Sequence, residues 1–160
     1  MAKKKIISKD IPLAELTLRK YEKPANLSDR ELIRKLCLSI GILQPGDSRD
    51  VIVDIFYVSL EASKERKHLS MKDIETAVVD LRKRFNLPLV GITAPNITRQ
   101  VRRLKDISLL EKAVSGYRVT EFSSLHDLFE EKIESTILIS INSRIKDYLK
   151  KIDNDFRKDN

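Results

Sequence analysis

The side chains with the most chemical capacity lie between residues 93 and 106, TAPNITRQVRRLKD. Ile97, Val101 and Leu104 fall at i, i+4 and i+7, one face of an α-helix. At about 100° per residue, that face sends Arg99, Arg102, Arg103 and Asn96 to the outer half, with Thr98 and Gln100 at its edges. Such a surface suits the groove of a nucleic-acid duplex. Arginine can donate two hydrogen bonds to guanine O6 and N7, asparagine or glutamine can pair with adenine through both amide atoms, and Lys105 can hold a phosphate. The alternative is an ordinary solvated face, which accounts for charge but less well for three arginines and an asparagine with no acid before Asp106.

Catalysis has little to work with. His68 and His126 are the two histidines and Cys37 the single cysteine, and no spacing gathers them with carboxylates, so neither a nucleophile triad nor a zinc site is expected. Gly41, Gly46, Gly91 and Gly116 are scattered over turns and form no phosphate-cradling loop. Glu130 and Glu131 read as a solvated pair on a helix, His68 as a surface residue before a helix cap, and Cys37 as core rather than a redox sensor. The expectation is a protein that is not an enzyme and needs no metal or cofactor.

The elements that must carry the arginines follow from composition and pattern. The chain has 160 residues, 41% hydrophobic and 34% charged, which excludes a membrane protein and a disordered polymer and leaves one domain with appendages. Thirty-one Lys and Arg against 24 Asp and Glu give +7, so an acidic partner is the first to consider. The excess is concentrated: residues 1–30 hold eight basic and four acidic side chains, and residues 71–105 hold eight and three. One cysteine excludes a disulfide framework and points to a reducing, cytoplasmic location. Ser8, Lys9 and Asp10 cut short the apolar pair Ile6 and Ile7, so no signal peptide is expected. Residues 51–60 are far shorter than the roughly 20 residues of a bilayer span.

Residues 1–27 read as a basic arm ending in the turn Lys23, Pro24, Ala25, Asn26. Lys3, Lys4 and Lys5 suit either an arm that follows a nucleic-acid backbone or simple solubility. Ser28 stands three residues before Glu31, a capping-box signal, and Leu32, Ile33, Leu36 and Ile40 then predict a helix over 28–40. Asp47 or Ser48 is expected to cap a second helix running to about 66, whose Val51, Ile52, Ile55, Phe56, Tyr57, Val58 and Leu60 make it the centre of the core. Ser70 with Asp73 caps a third, with Ile74, Ala77, Val78, Leu81 and Phe85 inward and Arg82, Lys83 and Arg84 complementing the dipole at its end. An apolar connector, 86–94, precedes the arginine-bearing helix, in which Pro95 suits the first turn. Residues 109–114 and 117–120 then read as two short strands around a Ser115-Gly116 turn.

The order helix, helix, helix, hairpin, together with "SMKDIETAVVDL…ITRQVRRLKDISLLEKAVSGYRVT", resembles a winged helix-turn-helix domain of the kind common in archaeal and bacterial transcription regulators. The resemblance covers residues 47–121 and rests on pattern. It implies a mainly α fold, a three-helix core plus short β-hairpin, with a recognition helix at 95–105 that binds double-stranded DNA. Asn96, Arg99, Arg102 and Arg103 would then face base edges, and Thr98, Gln100, Lys105, Lys112 and Arg118 phosphates. The connector is longer than the compact motif's turn, and the wing carries only Lys112 and Arg118.

The divisions expected are the arm at 1–27, a helical extension with the winged domain at 28–122, and a long helix at 123–160. In that helix Leu138, Ile141, Ile145, Tyr148 and Ile152 step by three and four, an a/d seam that implies a homodimer. Asp127, Glu130, Glu131 and Glu134 lie early, and Lys146, Lys150, Lys151, Arg157 and Lys158 late. That segregation fits the helix dipole and equally an antiparallel pairing across a two-fold axis. The function expected is sequence-selective binding of double-stranded DNA by a homodimeric transcriptional regulator. The alternative is a winged-helix adaptor that touches protein through its apolar connector, and an RNA-binding module lacks the aromatic stacking surface.

Overall fold

The structure, a computed structural model, describes residues 10–157; Lys3, Lys4 and Lys5 at one end and Lys158 at the other lie outside it. Four helices come first: α1 (Asp29–Ser39), α2 (Val51–Lys64), α3 (Met71–Arg84) and α4 (Ala94–Asp106). A hairpin of β1 (Leu110–Ala113) and β2 (Gly116–Val119) follows, then α5 (Leu125–Leu128). A segment of wider π turns (Phe129–Leu138) leads without a break into α6 (Ile139–Phe156). This is a winged-helix topology with helical extensions at both ends.

Local signals start the helices where hydrogen-bond donors would otherwise be orphaned. Ser28 Oγ accepts the Glu31 N–H at 3.3 Å while the Ser28 N–H donates to Glu31 Oε2, and Ser70 with Asp73 repeats the arrangement. The start of α2 differs from expectation. Asp47 Oδ1 accepts the Arg49 N–H, which makes a turn rather than a cap, and the helix begins at Val51 with Asp50 before it and no side-chain cap bond. The Asp50 carboxylate is drawn instead to Arg30 and Arg34.

α2 runs through the middle of the core, with Ile52, Val53, Ile55 and Phe56 at 0–1% exposure. Burying each such side chain contributes about 1.5–3 kcal/mol. Ile74, Val78 and Leu81 of α3 and Ile97, Val101 and Leu104 of α4 pack into the same cluster. Phe85 lies more outside than its helical position suggests, edge-on to Tyr57 at 5.9 Å. Cys37 is fully buried, and burial pushes its thiol up to about 12.

One polar cluster lies within this core. Asp54, fully buried, accepts from Arg30 Nε at 2.9 Å and from an Arg82 nitrogen at 2.5 Å, and Arg82 Nε donates to the Pro88 carbonyl at 2.7 Å. Burial works against the Arg30 charge, but Asp54 and Asp50 overcome it and its pKa rises. Arg82, read from sequence as a dipole-complementing helix end, is instead a core residue tying α2, α3 and the connector together.

The hairpin pairs Ala113 with Gly116, so its two-residue loop is Val114-Ser115, one position earlier than the pattern suggested. The reason is a third strand one residue long: Leu69 and Tyr117 exchange both backbone hydrogen bonds, at 2.8 and 2.7 Å. This draws Gly116, at φ +135°, against Leu69, where a Cβ would meet the Leu69 carbonyl oxygen at 2.6 Å. Residues 10–28 form an extended strap. The Arg19 N–H donates to the Ser39 carbonyl, and its guanidinium donates to the Leu38 and Leu43 carbonyls. Gly41 (φ +76°) admits the strap, since a Cβ there would lie 2.6 Å from that of Thr17.

Candidate nucleic-acid interface

Thr93 caps α4 by accepting the Asn96 N–H, Pro95 occupies the first turn, and Ile97, Val101 and Leu104 anchor the helix at 0–1% exposure. The remaining surface divides into two sides. On one, Asn96 Nδ2 donates to the Gly91 carbonyl at 2.6 Å, and its Oδ1 accepts from Gln100 at 3.1 Å. Gln100 Oε1 in turn accepts from Arg103, whose other terminal nitrogen donates to the Ile42 carbonyl at 2.6 Å. Asn96, Gln100 and Arg103 are half-buried and hold one another. On the other side Thr98, Arg99, Arg102 and Lys105 are exposed.

Arg99 keeps one tie, from its terminal nitrogen to Asn96 Oδ1 at 2.7 Å, and the Thr98 hydroxyl donates back to the Ala94 carbonyl. Arg102 makes no hydrogen bond among the described residues. Within those residues no carboxylate forms an ion pair with Arg99, Arg102, Arg103 or Lys105. By contrast, Arg82, Arg84 and Arg118 are all paired with acids.

The wing adds cations unevenly. The Lys105 and Lys112 ammonium groups lie 5.9 and 6.0 Å from the centre of the Tyr117 ring, so strand and helix present them around one aromatic. Lys132, from the π-turn segment, lines a shallow depression together with Lys105, Lys112 and the acid Glu111, a cation that the one-dimensional pattern did not single out. Arg118 is occupied: its Nε donates to Glu111 Oε1 at 2.7 Å and its guanidinium lies over Phe122 at 4.9 Å. Partial burial pushes the Glu111 carboxyl up, but the Glu121 N–H and Arg118 more than offset this and hold it below the ordinary carboxylate range.

Comparison with known proteins gave no match: no family model fits the chain, and no curated protein or solved structure compared with it is significantly similar.

Two apolar surfaces complete the inventory. α6 has no buried residue. Of the expected seam, Leu138 and Ile141 are half-buried, while Ile145, Tyr148 and Ile152 are 52–67% exposed. Ile139, Leu149 and Phe156, outside the a/d pattern, are exposed as well. Ile11 and Leu13 of the strap line a groove with Ile141, Ile145 and Tyr148. A second cleft of about 500 Å³ lies between the strap, α1 and α5, walled by Leu36, Ile40, Phe129 and Ile133. Of its polar neighbours Arg19, Ser39 and His126, the first two already donate to backbone carbonyls.

Among the described residues one His-carboxylate group is compact enough to share an ion, His126 with Asp127 and Glu130, and all three are exposed. No helix of the described chain is long and apolar enough to cross a membrane.

Proposed function

We propose that this chain binds double-stranded DNA with sequence preference through α4 and acts as a homodimeric regulator of transcription. The observation that carries the reading is a helix bearing three arginines with no carboxylate among the described residues paired to any of them, on a domain of winged-helix topology. Arg99 and Arg102 reach base edges, and Thr98, Lys105 and Lys112 hold phosphates on either side. Asn96, Gln100 and Arg103 stiffen the helix flank and orient Arg99, so their contribution to base reading follows from that order. Arg118 contributes to phosphate binding only by exchanging Glu111 for DNA.

Dimerisation through Ile145, Tyr148 and Ile152 of α6 supplies the second half-site, and the separation of the two α4 helices sets the half-site spacing. Selection of bound fragments from a random duplex pool tests the reading. A recurrent motif in two related halves is the expected result, and an unenriched pool refutes sequence preference.

The adaptor reading has one observation in its favour: Leu89 and Val90 of the connector are 47% and 67% exposed. Gel retardation at low and high salt separates the two readings, because binding through phosphates weakens steeply as salt rises. Absence of retardation at low salt would favour the adaptor.

A further inference from the structure

Beside α4, on the flank away from the wing, lies a groove of about 430 Å³ that the sequence did not announce. Arg49, Arg99 and Arg103 line it together, over an apolar floor that includes Val51 and Val90. The arginines come from two stretches of chain, Arg49 from the turn before α2 and Arg99 with Arg103 one turn apart on α4, and the fold brings Arg49 to the other two. The Arg49 guanidinium makes no hydrogen bond or ion pair among the described residues and is exposed. The one negative group on the wall is Asp47, whose Oδ1 accepts the Arg49 backbone N–H at 2.9 Å. The nearby acid Asp50 is engaged by Arg30, Arg34 and Arg82 and offers no counter-charge to the groove.

We propose that this groove is a phosphate-binding site, with Arg49 as its principal ligand, Arg99 beside it, and Arg103, whose terminal nitrogens already donate to Gln100 and the Ile42 carbonyl, adding positive charge to the wall. Guanidinium groups present planar, paired N–H donors that match phosphate oxygens, and an apolar floor accepts the sugar that a phosphate carries. Arg99 belongs both to the exposed arc of α4 and to this groove. A duplex that engages Arg99 therefore runs its backbone over Arg49, and the phosphate is one of the duplex's own. This placement rests on the DNA reading above, whereas the phosphate chemistry of the groove does not.

Two measurements on the full chain separate these. The first is duplex affinity as a function of salt for wild type, Arg49→Ala and, as a control of equal charge loss, Lys64→Ala at the far end of α2. Arg49→Ala is expected to weaken binding to specific and random duplex alike and to lower the salt slope by about one, while Lys64→Ala leaves both unchanged. The second is the thermal midpoint with inorganic phosphate or pyrophosphate against chloride at matched ionic strength.

If wild type binds no duplex yet gains stability from phosphate, and Arg49→Ala loses that gain, the DNA reading fails and the groove serves a free phosphate compound. If wild type binds duplex and Arg49→Ala changes neither the slope nor the phosphate response, the DNA reading stands and the groove proposal is overturned. A loss in Lys64→Ala equal to that in Arg49→Ala also overturns it, since bulk charge would then explain the effect.

Discussion

Two helices of this protein end in basic runs that look alike in sequence, Arg82, Lys83 and Arg84 on α3 and Arg102, Arg103 and Lys105 on α4, yet they meet opposite fates. At the end of α3, Arg82 is 5% exposed and grips Asp54 and Asp50, and Arg84 reaches Glu61 at 3.1 Å. At the end of α4, among the described residues, no carboxylate pairs with Arg102, Arg103 or Lys105, although Asp106 closes the helix. The difference is set by α2 and the residue before it, which turn Asp54, Glu61 and Asp50 toward α1 and α3, while α4 packs on the apolar side of the same helix. An arginine's role in such a fold follows from the carboxylates on the helix it faces rather than from the run it belongs to.

The largest test of this contrast is Arg82→Ala. It strands the buried Asp54 carboxylate with Arg30 alone, and a loss of about 3–5 kcal/mol in urea unfolding is expected. A loss under about 1 kcal/mol would show that the cluster is not what distinguishes the two helices. Arg102→Ala, in contrast, should leave stability within about 0.5 kcal/mol of wild type and cost about 1–3 kcal/mol of discrimination at one base position of a selected site. Equal loss on specific and random duplex would remove its base-reading role.

Gln100→Glu imposes on α4 the condition that α3 already has, by placing a carboxylate beside Arg103. Its expected effect is about tenfold weaker duplex binding at low salt, fading as salt screens the new charge. Unchanged binding at low salt would argue that free guanidinium charge on this helix does not matter.

The smallest effect concerns the wing. The folded-state pKa of Glu111 is depressed, so its contribution to stability is present above the ordinary carboxylate value and is lost as pH falls through the lower, folded one. Thermal midpoints of wild type and Glu111→Gln should therefore differ modestly at neutral pH and converge in acid. A gap that persists in acid would mean that the side chain acts by packing rather than by charge.

Much of the fold was legible because its signals are local. Ser28 with Glu31 and Ser70 with Asp73 announce two helix starts within four residues, and Ile97, Val101 and Leu104 announce the buried face of α4 within eight. The hairpin was readable to within one residue, and the error came from Leu69, almost fifty positions upstream, which claims Tyr117 and forces Gly116 into the strand. Arg82 was misread for the same reason: Asp54 and Asp50 lie 28 and 32 residues earlier, and no periodicity links an arginine to acids on another helix. On α4, helical angles found the inward face of Ile97, Val101 and Leu104 but placed Asn96 and Arg103 on the outer half, whereas both are half-buried and donate to the Gly91 and Ile42 carbonyls, partners that no helical angle reveals. Arg49 was invisible because a turn residue belongs to no pattern. Only the packing of α4 on α2 brings it beside Arg99 and Arg103.

The bond from Arg82 to the Pro88 carbonyl has an evolutionary corollary. A main-chain oxygen is present whatever amino acid occupies its position, so a change of side chain at position 88 leaves this acceptor in place, whereas Gly91, at φ +78°, is held to glycine by its backbone. The exposed Leu89 and Val90 are therefore the positions free to change what this stretch displays to solvent, while the Arg82 bond and the Gly91 turn hold the approach to the following helix.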